Sequence, residues 1–253
     1  IFIMYHQVNE LLFKMILLEI KQIAKSDSLD VEVFTKHLMR ISRYFDMLSS
    51  SFDIMGDGMD KEQYMKFRNT LAPASGFQSA QYRMIEFAST ELINLIDVRF
   101  RSTIDRDTPF EHAYEHLYWQ AAGKNYNTGQ KSILLDKFEK KYMGDFIDFM
   151  KDYNTTNISM KFKSLPDSVR NNVDLVNTMR HYDYTVNVKW VMSHYKAAAK
   201  YIGGGAATGG SDWTKYMLPK YQKRIFYPDL WSEEEKKNWG ITNLESYKIL
   251  TEV

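Results

Sequence analysis

The stretch Val33-Phe34-Thr35-Lys36-His37-Leu38-Met39-Arg40-Ile41-Ser42-Arg43-Tyr44-Phe45-Asp46-Met47-Leu48 decides the fold class. Its apolar residues, from Val33 through Ile41, Phe45 and Leu48, recur at three- and four-residue steps. A helix with 3.6 residues per turn gathers such positions on one face; a strand would scatter them over two. The same spacing runs through Phe2, Val8, Leu11, Leu12, Met15 and Leu18, and period-two alternation is nearly absent from the chain. Helix starts are marked by Asp30, by Thr108-Pro109-Phe110-Glu111 as a capping box with Pro in the first turn, and by Ser232-Glu233-Glu234-Glu235 as a second box. Further helices are expected over 79–96, 134–153 and 168–202, the last broken once within its length. The reading is an all-α protein with six or more helices and no sheet.

Residues 1–253 are expected to form a single domain. The hydrophobic share of 44% suits one sizeable core, and the two loops rich in breakers, Ala72-Pro73-Ala74-Ser75-Gly76 and Gly203 to Ser211, are short and lie between apolar segments, unlike domain linkers. With 33 Lys and Arg against 32 Asp and Glu, the net charge of +1 creates no field to recruit nucleic acid or an anionic membrane. The absence of cysteine excludes disulfides, zinc thiolates, iron–sulfur clusters and thiolate-ligated haem. Any metal must sit on His, carboxylate or Tyr. The apolar opening, residues 1–20, is interrupted by His6, Glu10, Lys14 and Glu19 and has no basic leader, so no membrane span or secretion signal is read there and a cytoplasmic location is expected. Because the sequence starts with Ile inside a helical pattern, an N-terminal segment is expected to be missing.

Several side chains could carry chemistry. His194 follows Trp190 by one helical turn, which places imidazole and indole on a common face, as a haem ligand needs and as an ordinary hydrogen-bonded histidine also allows. His6 stands in the same relation to Phe2, and could line a pocket or simply edge an amphipathic helix. Tyr64 and Arg68 repeat the spacing; a guanidinium beside a phenol can grip a carboxylate, although Arg68 could equally be a solvated arginine. The glycine-rich segment Gly203 to Ser211 follows a helix and lacks a Gly-Lys-Ser/Thr ending, which argues against phosphate binding and leaves a loop able to close over a ligand through Thr208. His112-Ala113-Tyr114-Glu115-His116 fits a zinc-peptidase pattern, yet no third ligand is evident nearby, and ordinary polar residues are preferred.

The segment Phe67-Arg68-Asn69-Thr70-Leu71-Ala72-Pro73-Ala74-Ser75-Gly76-Phe77-Gln78-Ser79-Ala80-Gln81-Tyr82-Arg83 closely resembles the signature of the tryptophan 2,3-dioxygenase family. Phe2-Ile3-Met4-Tyr5-His6-Gln7 is similar to the family's distal helix. His194, followed fourteen residues later by Thr208-Gly209-Gly210-Ser211, resembles its proximal histidine and closing loop, and Ile225 to Trp231 resembles its C-terminal Phe-Pro-Glu-Leu-Trp stretch. The resemblance covers roughly residues 1 to 231.

It implies a cytoplasmic enzyme of tryptophan catabolism in the kynurenine pathway. Such an enzyme opens the pyrrole ring of L-tryptophan with O2 to give N-formylkynurenine on a ferrous haem b. His194 would be the iron ligand, and His6 the catalytic-side histidine facing the indole N–H. Arg68 and Tyr64 would hold the substrate carboxylate, and Thr208 the ammonium group. Phe2, Leu71, Ser75 and Gly76 would shape the pocket, the last two beside the haem, with Tyr82 behind them. The family pattern also implies a homotetramer whose sites are completed by a neighbour's N-terminal segment. Ala72, Ala74, Ala207 and Asp212 depart from the family's usual residues in the two loops, and Ala207 stiffens a position where glycine is common. Two other outcomes fit the same residues: a haem enzyme acting on a substituted tryptophan or inserting one oxygen, and a non-catalytic haem or indole-binding module.

Overall fold

The computed structural model describes residues 1–26, 30–68, 79–202 and 218–241. Among them there is no sheet, only two isolated β-bridges, Ile96 with Leu117 and Lys124 with Lys131. The long helices are α1 (Phe2–Lys25), α2 (Val31–Ser50), α7 (Ile133–Tyr153) and a rod made of α10 (Val173–Tyr184), a π turn (Thr185–Lys189) and α11 (Trp190–Ile202). Between them come α3 (Phe52–Gly58), α4 (Lys61–Arg68), α5 (Ala80–Ser89), α6 (Phe110–Tyr114), α8 (Ile158–Lys163) and α9 (Asp167–Arg170). α12 (Pro219–Gln222) and α13 (Glu233–Lys237) follow the rod. No helix among the described residues is long and apolar enough to cross a membrane.

The stretch that decided the fold class is the centre of the core. Phe34, Leu38, Ile41, Phe45 and Leu48 of α2 are fully buried and form one face, against α1 on one side and α10 on the other. Each such side chain contributes about 1.5–3 kcal/mol by leaving water. The face of α1 differs from the one its periodicity suggested. Leu12, Phe13, Ile16, Ile20 and Ile23 point inward, while Val8, Leu11, Met15 and Leu18 form an exposed apolar stripe. A helix apolar on more than one side gives no sequence clue to which side meets its neighbours.

The caps decide where helices start. Asp30 accepts from the backbone N–H groups of Glu32 and Val33, and Ser232 and Glu235 form the reciprocal box expected of them. Thr108 does not cap α6: its hydroxyl donates to Asp105 instead, and Pro109 takes the N-cap position without a side-chain bond. The helix expected over 79–96 stops at Ser89, because Thr90 turns extended and its hydroxyl donates to the carbonyl of Phe226 at 2.5 Å; a short 3-10 turn, Leu92–Leu95, then resumes. The expected break within 168–202 is real and precedes the rod, between Arg170 and Val173.

A buried polar chain ties the rod to the C-terminal segment. Asp183 accepts four hydrogen bonds: from Asn187 Nδ2 at 2.7 Å, Phe226 N at 2.8 Å, Tyr227 N at 3.0 Å and Trp231 Nε1 at 2.9 Å. Burial pushes its carboxyl up to about 6, against the lowering effect of those four donors. Arg224 donates through Nε to Asn187 Oδ1 and through its two terminal nitrogens to Glu86 (2.8 Å) and the Tyr82 hydroxyl (3.0 Å). Glu86 also pairs with Arg83 at 2.9 Å, so one buried carboxylate lies between two guanidinium groups.

Candidate active site

The N-terminal turns of α1 meet α3, α4 and α11, and aromatic side chains line the meeting point. The rings of Phe2 and His6 lie 4.3 Å apart, Phe2 and Tyr64 6.1 Å, and Tyr64 and Tyr201 5.0 Å. Tyr5 links His6, at 5.7 Å, to Phe52, at 5.8 Å. Phe52 stacks nearly parallel on His194, with centroids 5.1 Å apart and planes 9° from each other. Below this wall Tyr201 donates its hydroxyl to the Met55 carbonyl, which fastens α11 to the end of α3. A shallow, open cleft of about 400 Å³ runs along α1 beside Phe2, Ile3, His6, Gln7 and Glu10. Gln81 of α5 donates to the Glu10 carboxylate at 2.7 Å, which fixes one edge of the cleft.

The two histidines have different surroundings. His194 is half-buried, with its ring against Phe52, and the loss of water around it pulls its imidazole down to about 4 from an ordinary 6.5; the charge of a protonated His6 adds to the effect. At neutral pH His194 therefore presents an uncharged nitrogen. Among the described residues nothing hydrogen-bonds to it. His6 is exposed to the cleft, and its Nδ1 lies 2.7 Å from the Phe2 carbonyl. A carbonyl can only accept, so Nδ1 carries the proton and the neutral ring is left with Nε2 as a free acceptor.

The structure thus brings together Phe2, His6, Tyr64 and His194 from three separate helices. Arg68 is the last residue of α4, one turn beyond Tyr64, and its side chain lies outside the described residues, as do Leu71, Ser75, Gly76 and Thr208. Tyr82 is buried behind the wall, its ring 4.7 Å from that of Trp190, one turn before His194. Sequence reading missed Phe52, Tyr5 and Tyr201. Tyr201 was within reach, since it stands two helical turns beyond His194 and so shares its face. Phe52 comes from a distant helix and gave no signal. The zinc-peptidase pattern is not assembled, because Glu115 is held by Lys124 and Lys131, and among the described residues no three His, Cys, Asp or Glu converge on a metal position.

The sequence is similar to known proteins. The sequence profile described as Tryptophan 2,3-dioxygenase matches residues 1–120, which contain α1 and the Tyr64–Arg68 turn. Curated relatives named tryptophan 2,3-dioxygenase extend the similarity across most of the chain. That of Bacillus anthracis is 26% identical, over 93% of this chain and 83% of the relative. That of Caulobacter vibrioides is 27% identical, over 93% and 88%, and that of a Ruegeria species 24%, over 92% and 82%. By the profile over residues 1–120, and by relatives 24–27% identical across more than nine-tenths of the chain, the protein is similar to tryptophan 2,3-dioxygenases.

Proposed function

We propose that this protein is a haem-dependent tryptophan 2,3-dioxygenase, cleaving the C2–C3 bond of the L-tryptophan indole with both atoms of O2 to give N-formylkynurenine. The observation that carries the reading is the neutral, apolar-walled His194 held on the same aromatic floor as His6. One unprotonated imidazole with no other protein ligand beside it among the described residues suits a metal whose other ligands come with it, as in haem b; a bare ion would need several protein donors. His194 would hold the iron. Haem, when bound in the ferrous state, supplies the dioxygen chemistry; the protein's part is placement.

The residues on the cleft side account for that placement. Nε2 of His6 is the acceptor for an indole N–H, and Phe2 offers a ring face against which the indole packs. Tyr64 and Arg68, one turn apart on α4, would take the substrate carboxylate, where a fork of donors fixes both position and orientation. Thr208 would meet the ammonium group, and Leu71, Ser75 and Gly76 would close the pocket. Assembly into a homotetramer in the cytoplasm belongs to the same reading; the exposed stripe of Val8, Leu11, Met15 and Leu18 supports subunit contact.

The test is reconstitution of the reduced protein with haem, followed by L-tryptophan and oxygen. Growth of N-formylkynurenine that disappears in His194→Ala supports the assignment. Haem uptake without product moves the protein to altered chemistry or to a binding module, and failure to take up haem overturns the reading.

A further inference from the structure

The rod from Val173 to Ile202 carries two buried stripes that a straight α-helix could not join. Leu175, Met179, Tyr182 and Val186 are buried in α10 and the first part of the π turn; in α11 Ala197 and Tyr201 are buried and Trp190 and His194 are half-buried, both with their rings against Phe52. From Tyr182 to His194 the inward positions advance by four residues three times in succession. At 3.6 residues per turn, three such steps rotate the face by roughly 120°. In an uninterrupted α-helix Ser193 would sit under the core stripe, and His194 would point away from Phe52 and His6.

The π turn removes this error. Its defining bond runs from the backbone N–H of Trp190 to the carbonyl of Thr185, five residues back, so the turn takes in one more residue than an α turn and cancels roughly 100° of drift. Such turns cost backbone hydrogen-bond quality and persist where other contacts hold them. Here Asn187, buried in the middle of the turn, donates to Asp183 one turn earlier at 2.7 Å and accepts from Nε of Arg224. Arg224 is in turn oriented by Glu86 and Tyr82 of α5, and the ring of Tyr82 rests on Trp190, the first residue after the turn. Every polar group on Asn187 is thus committed to elements that do not belong to the site.

We propose that Asn187, clamped between Asp183 and Arg224, is a positioning residue that locks the π turn and so sets the rotational register in which His194 meets Phe52. The inference rests on the reading of His194 as the iron ligand only for its consequence. The register itself is a property of the haem-free chain and can be measured there.

The chain has no cysteine, so a single introduced thiol reports local exposure. His194→Cys marks a position that points inward with the π turn and outward without it; Lys200→Cys, exposed and one position before Tyr201, does the reverse. In the parent background the thiol at 200 is expected to react with a maleimide at least tenfold faster than the thiol at 194. In Asn187→Leu, which keeps the branching of the side chain and removes both polar bonds, the ratio should fall toward one or invert. Arg224→Lys, which keeps a cation beside Glu86 but loses the Nε bond to Asn187, should act the same way and decides the matter if Asn187→Leu fails to fold. General loosening would raise both rates together, so a change in their ratio reports rotation. A folded variant that keeps the parent ratio overturns the proposal. In parallel, the iron–imidazole Raman band of the haem-loaded, thiol-free variants should weaken or split relative to wild type. Absence of that band in wild type would overturn the iron-ligand reading and leave the labelling result to judge the register.

Discussion

His6 and His194 are the same residue type put to opposite uses by their surroundings. His6 keeps contact with water and has its tautomer set by the Phe2 carbonyl; His194 is desolvated against Phe52 and stays neutral. If Nε2 of His6 accepts the indole N–H, His6→Phe should lower kcat/KM for tryptophan by about tenfold or more, the equivalent of one lost charge-free hydrogen bond. An N-methylated tryptophan, which lacks the donor, should show no such sensitivity; equal losses for both substrates would remove the hydrogen bond from the account. His194 also predicts a pH effect on the haem-free protein. Its folded value of about 4 lies below the ordinary 6.5, so between these limits the unfolded chain binds the extra proton more readily. Stability contributed by this group is therefore complete above pH 6.5 and is lost as the pH falls toward 4. Replacing His194 by Phe should flatten that part of the stability curve, measured by urea melts across the range.

At the scale of elements, what was legible in the sequence was what a helix advertises locally. Asp30 as a cap, the Ser232 box and the inward face of α2 all follow from spacing and short-range hydrogen bonds. Asp30→Ala should cost about 1 kcal/mol, readable as a lowered urea midpoint with an unchanged slope. What spacing could not show is where a distant segment intervenes. Helix α5 ends early because Phe226, far along the chain, offers a carbonyl to Thr90, and the π turn exists because Arg224 and Asp183 hold Asn187. The site divides along the same line. Phe2 with His6, Tyr64 with Arg68 and Trp190 with His194 are one-turn pairs visible in the sequence, whereas Phe52 and Tyr5 enter by packing between helices. The resemblance to a known family, and not the spacing, assigned roles to those pairs.

For the molecule as a whole, the segment from Arg224 to Trp231 acts as a strap across the ends of α5 and α10. Asp183 is the buckle: all four of its hydrogen bonds come from donors, two to each oxygen. Asp183→Asn would turn an amide N–H₂ against two of them and should cost about 3 kcal/mol, seen as a lower melting temperature at neutral pH. A variant as stable as wild type would show that the strap can re-form around an amide. The strap also imposes an order on biosynthesis. Asp183, Asn187 and His194 emerge from the ribosome before the residues that clamp them, so the rod is first exposed without its fastening. The face of α11 that carries His194 can be oriented for good only once the ribosome has passed Trp231, so every new chain holds that face unfastened until its strap has been made.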